Sequence, residues 1–305
     1  MRSTKHEARR KKRREELWAL DQVTLNMRII SKTYYSPEIV RMEVEAPEVA
    51  AKAAAGQFVI LIPKEGGERI PLTIADWNKD RGTITLIFQK VGFSTNTLAS
   101  LEPGDNIAHL LGPLGKPTHT NGYSGVICVG GGVGIAELYP VARAFYKAGS
   151  RVTSILGARS RGLLILENAM REVSKELIIV TDDGSYGGKG LVTDILKGIL
   201  SSMENSSQNA YPELVYAIGP VPMMQAVARL SLGAGIKTIV SLNPIMVDGT
   251  GMCGACRCTV HGKTAFACVE GPEFDASGVD FEELKGRLKT YRQKENLINA
   301  KAGQI

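Results

Sequence analysis

From about residue 21 to residue 115, apolar positions come in short runs with a period near two, separated by turn formers. Residues 27–35, 39–45, 57–62 and 83–91 are each rich in β-branched or aromatic side chains, which suit a pleated, half-buried surface. Strands so closely spaced, with no helical stretch between them, predict an antiparallel β-barrel. The period then changes. Residues 126–129 form a short apolar run, followed by glycines at 130–132 and 134 and an apolar helical stretch to about residue 146. Strand-like runs at 151–156, 177–180 and 214–218 alternate with helical patterns at 191–202 and 222–232. That alternation predicts a doubly wound α/β domain over residues 116–242, with residues 201–211 as a polar loop. Near the C-terminus, Asp280 as N-cap, Glu283 three residues on, and Val279 with Leu284 as a hydrophobic staple start a helix over residues 279–305. Phe281, Leu284, Leu288 and Tyr291 mark its apolar stripe, expected to pack on the body, with docking on a partner as the alternative.

Composition narrows the class. The chain has 305 residues, 44% hydrophobic and 22% charged, enough for two domains, and no apolar run reaches the length of a membrane span. Its net charge of +6 is concentrated in residues 1–20, a basic extension with eight Lys/Arg against three Asp/Glu. Without interleaved aromatics or a second basic patch, this reads as a solvated arm, and nucleic acid is not the expected partner. The first residues carry no secretory apolar segment, so a cytoplasmic location is expected, where thiols stay reduced.

The candidate chemistry lies in residues 243–278. Four of the five cysteines, Cys253, Cys256, Cys258 and Cys268, crowd into sixteen positions behind Asp248. Read as Asp248, Cys253, Cys256 and Cys268, the spacing matches the C-x4-C-x2-C…C run of a [2Fe–2S] cluster, with aspartate replacing the first cysteine. Cys258 would complete an all-cysteine set instead. Period two along a strand starting at Cys256 would set its direction by the pleat, however, and makes it a small buried core residue. A structural zinc site also suits these donors and stays open. His261 reads as a surface turn residue. The turn at 130–134 follows a strand and opens a helix, where backbone N–H groups can hold a phosphate, yet it fits no register of G-x-G-x-x-G.

Here the separate readings resemble one family. Arg69, Pro71, Leu72 and Thr73, in Arg-x-Pro-Leu-Thr order after a barrel strand, are similar to the flavin-binding signature of the ferredoxin reductase superfamily. The 130–136 turn and Gly219-Pro220 with Met223 resemble its nucleotide turns. With the cluster loop appended, residues 23–272 resemble dihydroorotate dehydrogenase electron-transfer subunits. They resemble more closely the small subunits of NADH-dependent reduced ferredoxin:NADP oxidoreductases, also called sulfide dehydrogenase small subunits. Residues 247–257, 182–187 and 279–281 carry that closer likeness, and an aspartate stands as first ligand in those small subunits.

The resemblance implies FAD in a barrel spanning residues 21–115. Arg69 would neutralise the pyrophosphate and Thr73 would hydrogen-bond near the isoalloxazine. Gly92, Ser94 and Thr95 would hold the phosphates, and Pro71, Leu72 and Gln89 would line the flavin. For NAD(H), Gly131, Gly132 and Gly134, with Val133 and Ala136, would meet the pyrophosphate. Gly157, Ala158 and Arg159 would take the adenosine end, and Asp183, Gly219, Pro220 and Met223 the nicotinamide end. Ile218 replaces the cysteine that many superfamily members carry there. Arg159 and Arg161 could accept the 2′-phosphate of NADP(H), but the family points to NADH. No acid–base catalytic residue is expected for hydride transfer.

The expected function is an electron-transfer subunit linking NAD(H), FAD and a [2Fe–2S] cluster to a larger flavin/iron–sulfur partner, and through it to ferredoxin, as in electron-bifurcating complexes. A dihydroorotate dehydrogenase partner and a zinc-stapled nucleotide-binding module are the alternatives.

Overall fold

The computed structural model describes residues 27–204 and 212–302. The expectations for the basic extension and for most of the 201–211 loop lie outside the described residues. Strand β1 (Ile29–Ser36) turns into β2 (Ile39–Glu45), where Val40, Met42 and Val44 are buried and alternate with Arg41, Glu43 and Glu45. A short helix, α1 (Pro47–Lys52), leads to β3 (Phe58–Ile62), β4 (Ile70–Asn78) and β5 (Thr83–Gln89). Helix α2 (Phe93–Ala99) and β6 (His109–Leu114) follow. The antiparallel order is β1-β2-β5-β4-β3-β6. Ile29 N donates to Asp105 O at 2.9 Å and Gly104 N to Ile29 O at 2.8 Å, so the chain entering β6 pairs with β1 and closes the barrel.

The α/β half contains β7 (Gly125–Gly131), α3 (Gly134–Lys147), β8 (Arg151–Ala158), α4 (Glu167–Glu172) and β9 (Glu176–Thr181). It continues through β10 (Gly188–Lys189), α5 (Val192–Glu204), β11 (Leu214–Ile218), α6 (Val221–Gly233) and β12 (Lys237–Ser241). After a hairpin of β13 (Arg257–Val260) and β14 (Lys263–Phe266), the chain returns as β15 (Glu273–Asp275), antiparallel to β12. The sheet runs β10-β9-β8-β7-β11-β12-β15, so chain order reverses between β7 and β11, the place where open α/β sheets bind ligands.

Three apolar cores hold these parts together. One fills the barrel. A second lies between barrel and sheet around α3, where Phe145 and Leu138 meet Ile39 and Ala75. The third joins α5 and α6 to Phe58, Ile60 and the cluster segment, including Cys256, Cys258 and Cys268. The C-terminal segment forms two helices rather than one: α7 (Phe281–Arg287) and α8 (Arg292–Ala302). Asp280 caps α7 as read from sequence, accepting from Glu282 N and Glu283 N at 3.0 and 2.9 Å. Phe281 and Leu284 are buried, whereas Tyr291 lies in the break between the helices and is 50% exposed. Among the described residues, no helix is long and apolar enough to cross a membrane.

Candidate functional site

A cavity of about 740 Å³ opens at the switch point between β7 and β11. Its floor is the turn Gly131, Gly132, Val133 and Gly134, with Gly219, Pro220 and Met223 opposite. The two turns touch. A Cβ on Gly134 would lie 2.8 Å from Gly219 Cα, and Gly219 itself has φ +147, with Gly131 O 2.9 Å from where its Cβ would stand. Only glycine fits there, and the backbone is left bare toward the cavity. Gly157, Ala158 and Arg159 extend the wall along the end of β8, and Gln89, Val91 and Ile39 contribute the barrel side. The residues read from sequence as nucleotide ligands are therefore gathered, with two exceptions. Ala136 is fully buried in the core under α3. Asp183 is exposed, and its carboxylate, held below the usual range first by the Ser185 hydroxyl, accepts from Ser185 N at 2.9 Å. It is not among the residues lining the cavity. The acid that lines the cavity is its neighbour, Asp182.

On the barrel, Pro71, Leu72 and Thr73 lie along β4 in register with Ile60, Val59 and Phe58. Arg69 is exposed at the start of that strand. Ser94 Oγ donates to Glu68 Oε2 at 2.9 Å, which ties the Arg69 corner to the first turn of α2. Thr95 Oγ1 accepts from Val91 N and Gly92 N at 3.0 and 3.1 Å, so this side chain closes the turn on itself. The two halves meet where Arg143 of α3 reaches Asp76 of β4 at 2.7 Å, with its guanidinium over the Trp77 and Tyr139 rings. Beside this seam stands Glu137, which sequence reasoning missed. It lines the cavity, hydrogen-bonds the Thr73 hydroxyl, and is pushed up to about 7 by burial. Its sequence signal was a lone carboxylate in the apolar opening of α3.

In the cluster segment, Asp248 Oδ2 accepts from Cys253 N at 2.7 Å, while Cys256 Sγ and Cys268 Sγ approach to 3.1 Å. Cys268 N donates to Cys256 Sγ and Ala255 N to Cys253 Sγ, both at 3.4 Å. Cys258 lies on β13 opposite Ala265 and donates to its carbonyl at 3.6 Å, a buried thiol pushed up to about 11 by desolvation. His261 sits in the hairpin turn with φ +49. Among the described residues, no three His, Cys, Asp or Glu side chains converge on a single ion. The donors instead form two pairs, Asp248 with Cys253 and Cys256 with Cys268, and two pairs of anionic donors fit a cluster of two irons.

Comparison with known proteins agrees with this geometry. The model of the iron-sulfur cluster binding domain of dihydroorotate dehydrogenase B matches residues 243–280. A dihydroorotate dehydrogenase B (NAD(+)) electron transfer subunit homolog from Thermotoga maritima is 43% identical over 269 residues, 88% of this chain and 93% of that one. The electron transfer subunit from Fusobacterium nucleatum is 30% identical over 270 residues, covering 84% and 96%. A chain in the solved structure of an NADH-dependent reduced ferredoxin-NADP oxidoreductase, described for flavin-based electron bifurcation, superposes with a TM-score of 0.84 at 39% identity, covering 93% of this chain and 99% of that one. A barrel, a switch-point cavity and a paired-donor loop in one chain thus come with matching relatives over most of its length: the chain belongs to the family of dihydroorotate dehydrogenase B electron transfer subunits.

Proposed function

We propose that this chain exchanges a hydride with NAD(H) at a bound FAD and single electrons through a [2Fe–2S] cluster with a larger flavin/iron–sulfur partner, as in an electron-bifurcating NADH/ferredoxin:NADP oxidoreductase. The observation that carries this reading is the pairing of Asp248 with Cys253 and of Cys256 with Cys268 in a segment sharing one apolar core with the barrel and the sheet. A flavin between the nicotinamide and the cluster supplies the change from two-electron to one-electron chemistry.

The chain's own residues bind and orient. The turn from Gly131 to Gly134, which opens α3 without side chains, brings the helix N-terminus to a pyrophosphate, while the Gly132 N–H is held by Gly157 O at 2.9 Å. Arg159 and Asp182 face the adenosine end, and Gly219 and Pro220 close the nicotinamide end. Gln89 lines the barrel side of the cavity, Thr73 stands beside it on β4, bonded to Glu137, and Arg69 supplies charge for the flavin pyrophosphate. Asp248 keeps the ligand set fully anionic. The bifurcating partner is supported by the superposition with a chain of an NADH-dependent reduced ferredoxin-NADP oxidoreductase, TM-score 0.84 over 93% of this chain; a dihydroorotate dehydrogenase partner is the second reading, since an electron transfer subunit homolog of that enzyme is 43% identical.

The test is anaerobic purification with quantitation of iron, sulfide, zinc and flavin, and a spectrum before and after NADH. About two irons and one FAD per chain, bleached by NADH, are expected. Zinc without flavin would overturn the reading.

A further inference from the structure

Two half-buried carboxyl groups take their hydrogen bonds from neutral hydroxyls. Glu137 is bonded to Thr73, and Glu273 Oε1 accepts from Thr118 Oγ1 at 2.5 Å and from the Tyr216 hydroxyl at 2.8 Å. Tyr216 stands between them, 1% exposed and among the largest fully buried side chains. Burial above all, then the Glu273 carboxylate, holds this phenol well above its ordinary value. Ser241 acts the other way, and Glu137 is within electrostatic reach. The Tyr216 hydroxyl points to Glu273, and Ser241 is the register partner of Glu273 across β12 and β15.

Each end of this row opens on a cavity. Glu137 and Ser241 line the switch-point cavity. Tyr216, Glu273 and Thr118 line a second one of about 220 Å³, nearer the start of β11 on the strand face that carries Leu214, Tyr216 and Ile218. Its rim carries the exposed Lys116, His119, Lys237 and Glu270, so it faces solvent. Lys237 Nζ donates to Tyr123 OH at 2.8 Å, and among the described residues Glu273 forms no ion pair with Lys116 or Lys237.

We propose that Glu137, Ser241, Tyr216 and Glu273 form a proton path joining the flavin–nicotinamide junction to solvent through the second cavity. The proposal rests on the function given above. A hydride delivers one hydrogen and two electrons to flavin N5. When both electrons have left singly for the cluster, that hydrogen remains as one proton and must depart. Glu137 takes it by way of the Thr73 hydroxyl and yields it through water in the cavity, which both side chains border and which is roomy enough to hold it, to Ser241. Tyr216 accepts on its phenol oxygen and hands its own proton to Glu273, which releases it to the second cavity. Electron flow in the opposite direction draws one proton inward by the same steps.

The test uses the full-length protein with its cofactors, unsubstituted and as Tyr216→Phe and Glu273→Gln, two near-isosteric changes. Flavin and iron contents and flavin bleaching by NADH, which moves no proton along the path, are expected to match in all three. Oxidation of the NADH-reduced protein by ferricyanide is followed with a pH-indicator dye in H2O and D2O. Proton release is expected to slow by roughly 10²-fold in both variants, the lower end of what a positioned acid–base group contributes, with a larger solvent isotope effect. A carboxyl band in the infrared redox difference spectrum should vanish in Glu273→Gln. Ser241→Ala replaces either variant that fails to fold. Unchanged proton release and isotope effect in flavin- and cluster-replete variants would overturn the path alone. An unsubstituted protein lacking flavin or iron would overturn the functional reading beneath it.

Discussion

The Asp248 carboxylate straps the cluster loop: Oδ1 accepts from Thr250 N at 2.8 Å and Oδ2 from Cys253 N at 2.7 Å. The Thr250 amide first, then that of Cys253, holds this acid below the ordinary aspartate range. It is an anion at neutral pH, set beside the first cysteine before any iron arrives. Asp248→Cys is expected to keep its iron after anaerobic purification, and Asp248→Ala to lose most of it. Because carboxylate and thiolate carry equal charge, the unsubstituted centre should titrate below the Rieske range of about −150 to +300 mV. A midpoint well inside that range contradicts the assignment.

Glu137 makes stability depend on pH. Its folded value, about 7, lies above the ordinary 4.5, so the folded protein holds a proton that the unfolded chain has already lost. The stabilising protonated form is complete below the unfolded value and is lost as pH rises toward 7. In the cofactor-free protein, urea unfolding should show stability falling between pH 5 and 8 by as much as about 3 kcal/mol from this group. Glu137→Gln should flatten that part of the slope, leaving the share of Glu273, whose value burial also raises.

Asp182 and Arg159 line the same end of the large cavity with opposite charges. A carboxylate there accepts from ribose hydroxyls and repels a 2′-phosphate. Asp182→Asn is expected to raise the NADPH/NADH ratio of kcat/KM by roughly tenfold, about 1.4 kcal/mol of discrimination. An unchanged ratio would remove Asp182 from nucleotide selection.

Asp280 caps α7 through two amides, and the helix buries Phe281 and Leu284 in the core shared with the cluster segment. Asp280→Ala should cost about 1 kcal/mol, read as a lower midpoint in thermal unfolding. Iron and flavin contents should not change.

Strand β2 was legible by alternation, since one face is buried, whereas β3, β5, β7 and β11 are buried at nearly every position and were legible as short apolar runs between turn formers. Strand β4 was read only as a motif, since Pro71 and the surrounding half-buried positions carry no clean alternation. Strand β12, five residues long, and β15, three residues long, gave too short a pattern to register. The end of the C-terminal helix was misplaced because amphipathic spacing continues to Tyr291, while Lys289 N and Thr290 N bond three residues back and turn the chain out of the helix. In the site, glycines and cysteines announced themselves by type and spacing. Glu137, Asp182 and Tyr216 did not, because what they face is set by elements that meet only after folding.

Strand β15 belongs by sequence to the segment carrying the cysteines, yet by hydrogen bonding it is the border of the nucleotide sheet. Cutting the chain at residue 243 would do more than strip away iron. It would bare the β12 edge, remove a wall of the second cavity and leave unpaired amides open to other chains, a recipe for aggregation. The metal-bearing piece is a hem sewn to the cloth, and a soluble flavoprotein is not expected from the chain without it.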